Sequence, residues 1–180
     1  NYALNFKNES SFVDEICSHI PDPPKYFIEA VHKNANGYKY YNELFNDLLI
    51  PLNQSNFITE MKKKDCVVLD TRNSDEYAKK HLINSINIGL NGSFAISVGN
   101  LIDINKKILL ICNNGKEIES FKRLLRVGFD NIIGYLDGSI DSWVGNDFID
   151  KIDQIQSSHL NNKYDNYQIL DVRTKKEYEI

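Results

Sequence analysis

Ile108-Leu109-Leu110-Ile111-Cys112-Asn113-Asn114-Gly115-Lys116-Glu117 is the stretch that decides the fold of this 180-residue chain. Four consecutive aliphatic residues ending in a turn signal describe a strand buried on both faces, as strands of parallel sheets are. Beyond the turn, Lys116 to Val127 has helical period. Ile118, Phe121, Leu124 and Leu125 share one face, and Gly128 supplies the stop. A strand delivering a thiol into a loop and then a helix sets Cys112 at the carboxyl edge of a sheet, where α/β folds bind ligands. The loop Asn113, Asn114, Gly115, Lys116 and Glu117 would point backbone N–H groups at that thiol. With the helix dipole they favour an anion and lower a thiol pKa.

The same alternation continues on both sides. Phe57 to Met61 is expected to be helical with Ser55 as N-cap, Cys66 to Asp70 a buried strand, and Asp75 to Lys80 a short helix. Ser85 to Ile88 and Ile132 to Leu136 read as further strands, and Asp137-Gly138 turns the chain into a helix around Trp143. Such alternation predicts an α/β fold with a doubly wound parallel sheet flanked by helices, the 108–112 strand being central.

An internal repeat extends the pattern. Val68-Leu69-Asp70-Thr71-Arg72 with Glu76-Tyr77 returns as Ile169-Leu170-Asp171-Val172-Arg173 with Glu177-Tyr178, about a hundred residues later. That period is the size of a domain rather than of a solenoid unit. The expected organisation is therefore 51–148 as one domain and 149–180 as the beginning of a second, truncated at Ile180. Residues 1–50 differ: Ser11 to Ile20 is expected to be a helix with Phe12, Ile16 and Ile20 along one side, ended by Pro21-Asp22-Pro23-Pro24. The aromatic-rich stretch from Lys25 to Tyr41, with Tyr26, Phe27, Tyr38 and Tyr40, reads as the tail of an upstream domain or a linker packed on one.

Bulk properties exclude several classes. A net charge of −4 and a pI near 5.6 argue against nucleic-acid binding, and Lys62-Lys63-Lys64 reads as a solvated helix end. Three scattered cysteines, Cys17, Cys66 and Cys112, suit neither a disulfide framework nor a zinc knuckle, and point to a reducing cytoplasm. Cys17 and Cys66 are expected to be buried, and Trp143 to pack under the last helix of the domain. His19, His32, His81 and His159 show no metal-ligand spacing, and His81 is expected to cap or pack at a helix end. No apolar run reaches membrane-spanning length.

As a set, Leu69-Asp70-Thr71-Arg72 with Glu76-Tyr77, His81-Leu82-Ile83-Asn84-Ser85-Ile86-Asn87-Ile88, Cys112 with Gly115, Gly128-Phe129-Asp130-Asn131-Ile132, and Leu136-Asp137-Gly138 before Trp143 resemble the rhodanese family. Lys80 and Asn84 stand where that family has glycines. The resemblance implies a rhodanese-like fold in which the loop cysteine accepts a sulfane sulfur and passes it to cyanide, sulfite or a thiol, while Asp70 and Arg72 support the loop. The second and sixth loop positions, commonly Arg in active members, are Asn113 and Glu117 here. A carboxylate about 6 Å from a thiolate opposes it by roughly 3 kcal/mol at an effective dielectric near 20, which Lys116 offsets only in part. The fold's Cys-x5-Arg phosphatase chemistry is excluded by Ile118.

The first fifty residues, through Asn1-Tyr2-Ala3, Phe12-Val13, Pro23-Pro24-x-Tyr26-Phe27 and Asn34-x-x-Gly37, resemble the end of the metallo-β-lactamase-fold domain of bacterial fusions of the persulfide dioxygenase–sulfurtransferase type. The stretches 87–95 and 126–138 are similar to the same group. That resemblance implies a cytoplasmic parent enzyme in sulfide and persulfide detoxification. It would act on low-molecular-weight persulfides, thiosulfate or sulfite, assemble as a homo-oligomer, and hold non-haem Fe(II) (or Zn) upstream, with no metal or cofactor in this piece. The middle rhodanese domain would be degenerate, scaffolding through contacts with flanking domains and weak or inactive alone. The alternatives are an active sulfurtransferase forming a persulfide on Cys112, and an interaction module without sulfur chemistry.

Overall fold

The computed structural model describes residues 8–18, 23, 26–37, 41–156, 158, 167–173 and 175–179. Asn1-Tyr2-Ala3, His19, Ile20, Pro24, Tyr38, Tyr40 and His159 lie outside them. Three helices come first: α1 (Glu9–Ser18), α2 (Phe27–Asn36) and α3 (Tyr41–Leu48). Then follow β1 (Pro51–Leu52), α4 (Gln54–Met61), β2 (Cys66–Asp70), α5 (Ser74–Lys79), β3 (His81–Leu82), β4 (Ile86–Asn87), α6 (Phe94–Leu101), β5 (Lys107–Ile111), α7 (Glu117–Leu125), β6 (Ile132–Leu136), a 3-10 turn (Ile140–Ser142), β7 (Ile149–Asp150) and α8 (Lys175–Tyr178).

Five strands form a parallel sheet in the order β1-β6-β5-β2-β4, so β5 is central as expected. Alternate residues of β5 feed opposite faces. Ile108 and Leu110 join Leu69, Phe94, Val98, Phe121, Leu124 and Phe129, whereas Leu109 and Ile111 join Val68, Phe57, Leu82, Ile140 and Trp143. A strand feeding two cores has no polar face, hence the unbroken aliphatic run. The chain runs outward from β2 to β4, then crosses back to β5. The order therefore reverses between the carboxyl ends of β2 and β5, where Thr71 and Cys112 lie.

Several local expectations shift. The N-cap of α4 is Asn53, whose Oδ1 accepts from Asn56 N–H at 3.0 Å, not Ser55; Asn53 is the residue in extended conformation, as a cap must be. Asn73 caps α5 in a capping box with Glu76. Helix α7 ends as expected: Gly128 has φ +85°, and N–H donation from Gly128 to Leu125 and from Phe129 to Leu124 closes the turn. Asn84, at a family glycine position, has φ +61°, a conformation Asn tolerates better than most residues. His81 is buried at the end of α5, its ring stacked 4.1 Å from that of Tyr77. Trp143 is buried against α4, edge-on to Phe57, rather than under a terminal helix. Cys66 is half-buried, not core, because it opens β2 at the sheet rim. Cys17 is exposed, contrary to expectation, since α1 buries none of its residues.

The segment before Pro51 docks on the sheet unit. Tyr26, Leu44, Phe45, Leu48 and Leu49 pack on the first core, with Phe45 edge-on to Phe121 at 5.9 Å. Lys33 Nζ donates to the Gly128 carbonyl at 2.6 Å and sits 2.7 Å from Asp130 Oδ1. Gly99 makes room for Tyr26: a Cβ there would lie 1.8 Å from Tyr26 Cδ1. Gly99→Ala should therefore displace Tyr26 and loosen α2. Trypsin should cut after Lys33 faster than in the wild type, and equal rates would contradict the docking.

The second copy of the repeat forms no strand over 168–173 among the described residues. Ile169, Leu170 and Val172 are exposed. Its Asp171–Arg173 pair nevertheless repeats the Asp70–Arg72 hydrogen bonds, and α8 repeats α5. Beyond 148 the chain still adds to the first unit: β7 pairs antiparallel with β3, and Ile152 N–H donates to Ala78 O.

Candidate functional site

The loop from Cys112 to Lys116 lies at the reversal point, between β5 and α7. Lys116 N–H donates to Asn113 O at 2.9 Å, and Gly115 takes φ +83°, closing the loop as a tight turn. Asn113 leans outward, its Nδ2 donating to Glu76 at 3.1 Å. Glu117 folds back over the loop, and its Oε1 accepts the Gly115 N–H at 3.0 Å. An amide that could face a bound anion is thus taken by the chain's own carboxylate. Lys116 Nζ is 2.9 Å from Glu119 Oε2, and Glu119 also receives Arg123. The Lys116 ammonium is directed to Glu119.

Cys112 is 2 % exposed. Burial pushes its thiol up to about 12, with the Glu117 and Asp70 carboxylates adding to the rise. Burial is the larger cause, because an ionised sulfur loses its hydration while the nearest charges carry the wrong sign. The expected opposition from Glu117 is present, second in size. Under the loop, Thr71 and Ser120 are buried with their hydroxyl oxygens 2.9 Å apart.

Asp70 and Arg72 hold the floor. Arg72 Nη2 lies 2.6 Å from Asp70 Oδ2 and its Nε 3.0 Å from Oδ1, while Nη2 also donates to Lys80 O at 2.7 Å. Asp70 is fully buried and Arg72 is 5 % exposed. The guanidinium ties the end of β2 to the end of α5. A cavity of about 440 Å³ opens beside this floor, lined by Thr71, Asn73, Asn87, Asn91, Asn113 and Lys116 among others. Cys112 does not line it. The site residues named from the sequence therefore converge in the fold, but the buried Cys112 does not line this cavity.

Sequence reasoning passed over Ser120, Thr71 and Ser139. Ser120 has a signal, being a hydroxyl on the apolar face of α7 between Glu117 and Leu124. Ser139 has none. It is 3 % exposed, holds φ +59° and ψ −167°, a region nearly reserved for glycine, and its Oγ has no partner. Ser139→Gly should raise stability by about 1–3 kcal/mol, by relieving backbone strain and removing an unsatisfied hydroxyl. A rise in the urea midpoint would show it; a fall would mean the hydroxyl is bonded.

The family model for the Rhodanese-like domain matches residues 53–146, just over half of the chain. Three solved structures share the fold. A metallo-beta-lactamase from Staphylococcus aureus subsp. aureus COL aligns at TM-score 0.60 and 24 % identity, over 76 % of this chain and 37 % of that one. The BH2092 protein from Bacillus halodurans aligns at 0.50 and 16 %, over 68 % and 96 %. An anaerobic ergothioneine biosynthesis enzyme from Chlorobium limicola aligns at 0.50 and 14 %, over 71 % and 35 %. At these identities the likeness shows fold alone. The chain spans little more than a third of the Staphylococcus chain. No curated protein matches it in sequence.

Proposed function

The chain belongs to the family of rhodanese-like domains, and from that premise we propose that this domain carries no sulfur itself and scaffolds a larger persulfide-metabolising protein. One observation carries the reading: the loop thiol is buried and held protonated far above neutral pH, with the Glu117 carboxylate adding to the rise. A sulfur carrier needs a thiolate that meets its donor in the open. Here the accessible cavity and the sulfur do not meet.

The likeness to the Staphylococcus structure over more than the rhodanese-like part supports a parent that also contains a metallo-β-lactamase-fold region. In that reading 1–50 is the end of that region with its linker, 149–180 begins a second rhodanese-like domain, and the parent oxidises low-molecular-weight persulfides as a cytoplasmic homo-oligomer. The iron such chemistry uses would be held outside this chain. Among the described residues no three of His, Cys, Asp or Glu gather as a metal site. Also among these residues, no helix is long and apolar enough to cross a membrane.

The direct assay is thiocyanate formation from thiosulfate and cyanide. Wild type and Cys112→Ser should give the same background rate. A wild-type rate abolished by the substitution would overturn the reading in favour of a working carrier. Glu117→Arg should speed alkylation of Cys112 at neutral pH by removing one opposing charge and adding a favourable one. Because burial is the larger cause, it should not restore an ordinary thiol, and an unchanged rate would contradict the charge argument.

A further inference from the structure

We infer that the cavity beside the Asp70–Arg72 floor is a binding site for an uncharged small molecule bearing a primary carboxamide, read by asparagine side chains whose orientation the fold fixes. The inference goes beyond scaffolding and does not depend on whether Cys112 carries sulfur. The cavity, about 440 Å³, is lined by residues that follow β2 and β4 and by the start of α7, Asn73, Asn87, Asn91 and Asn113 among them. That volume falls in the range of small-molecule pockets, roughly 300–1,000 Å³. Its place, beside the reversal of strand order, is where open α/β sheets take ligands.

Hydrogen bonding decides which end of each side chain is left for a ligand. Asn87 Nδ2 donates to Asp70 O at 3.0 Å and to Arg72 O at 2.9 Å, so both its protons are spent. The reverse orientation would set oxygen against two carbonyl oxygens. What Asn87 has left to offer is therefore Oδ1, an acceptor. Asn113 is held in the same sense, its Nδ2 donating to the Glu76 carboxylate at 3.1 Å, which leaves Oδ1. Asn73 is the opposite case. As N-cap of α5 its Oδ1 accepts the Glu76 N–H at 2.9 Å, which leaves the Nδ2 protons. Asn91 is exposed, and among the described residues its side chain has no hydrogen-bond partner. Fixed acceptors on Asn87 and Asn113 and a fixed donor on Asn73 match the N–H groups and the carbonyl of an amide. They do not match an anion, which brings acceptors only. The cations in the lining are already engaged, Arg72 with Asp70 at 2.6 Å and Lys116 with Glu119 at 2.9 Å.

The test is two-dimensional NMR of the whole isotope-labelled chain, titrated separately with benzamide, benzoate and thiosulfate. Benzoate has nearly the shape of benzamide but carries a charge and no N–H. Benzamide should shift the backbone signals of Asn73, Gly89 and Asn91 and the side-chain NH2 pair of Asn73, and the shifts should saturate. Benzoate and thiosulfate at the same concentration should leave those signals in place. Equal or larger shifts with either anion would overturn the inference in favour of an anion site, and no saturable shift with benzamide would overturn it as well. Asn113→Leu keeps the approximate shape and removes the acceptor, so it should weaken benzamide about fivefold, the worth of one net hydrogen bond. Unchanged affinity in that variant would contradict the amide reading, because Asn113 Oδ1 would then play no part. If Asn113→Leu does not fold, the contrast between benzamide and benzoate on the wild-type chain decides alone. The functional reading stands or falls separately, on sulfur transfer at Cys112.

Discussion

Arg72→Met is expected to cost about 3–5 kcal/mol, the cost of leaving a buried charge without its partner. Asp70 has no exposed surface, and Arg72 supplies three of its hydrogen bonds from the side chain and one from the backbone N–H. The substitution also releases Lys80 O, so the end of α5 loses its tie to the end of β2. Asp70→Leu with Arg72→Met should recover much of the loss, because two apolar groups leave no orphan charge. The repeat supplies an internal control. Arg173 makes the same contacts to Asp171, but that pair stands in solvent. Solvent and salt screen such a pair, so Arg173→Met should leave the urea midpoint where it is. Equal losses at Arg72 and Arg173 would show that burial is not what gives the first pair its weight.

The second large effect is on thiol reactivity. At pH 7 an ordinary thiol near 8.5 is about 3 % ionised, whereas one near 12 is ionised about once in 10⁵. A more basic thiolate is intrinsically more nucleophilic and returns roughly a factor of 30. The remaining suppression is about 10²-fold before burial is counted. The chain contains its own comparison: Cys17 is exposed, Cys66 is half-buried with burial pushing its thiol up to about 11, and Cys112 is buried. Modification should follow the order Cys17, Cys66, Cys112. The linkage has a definite sign. The unfolded chain ionises Cys112 from about pH 8.5 and the folded chain does not until about 12, so the unfolded state binds fewer protons between them. Stability should fall as pH rises through that window, and Cys112→Ala should flatten the fall.

The central strands β2 and β5 were legible because they are buried on both sides. Ile108–Ile111 and Val67–Leu69 must be apolar at every position when alternate residues feed opposite cores, and few other elements read that way in so short a run. Helix α7 was legible through Phe121 and Leu124 on one face and Gly128 at its end. What failed depended on neighbours rather than on local pattern. Cys17 and the 169–173 run have apolar sequences, but burial is supplied by a partner surface, which composition does not encode. Ser55 and Asn53 are both competent caps, and backbone geometry chose Asn53. At the site, the type and loop position of Cys112 suggested a thiol presented at the sheet edge. That it is buried follows from how β2, β5 and α7 come together, which only the sheet order decides. Glu117 was legible as an opposing charge, but its hydrogen bond to Gly115 required the turn.

The most direct measurement is the intact mass of the wild-type chain and of Cys112→Ala after exposure to glutathione persulfide at neutral pH, with the modified residue located by peptide mapping. The predicted result is no one-sulfur adduct on Cys112, under conditions that load an authentic rhodanese. A one-sulfur adduct on Cys112, removed by cyanide and absent from Cys112→Ala, would contradict the account at its centre.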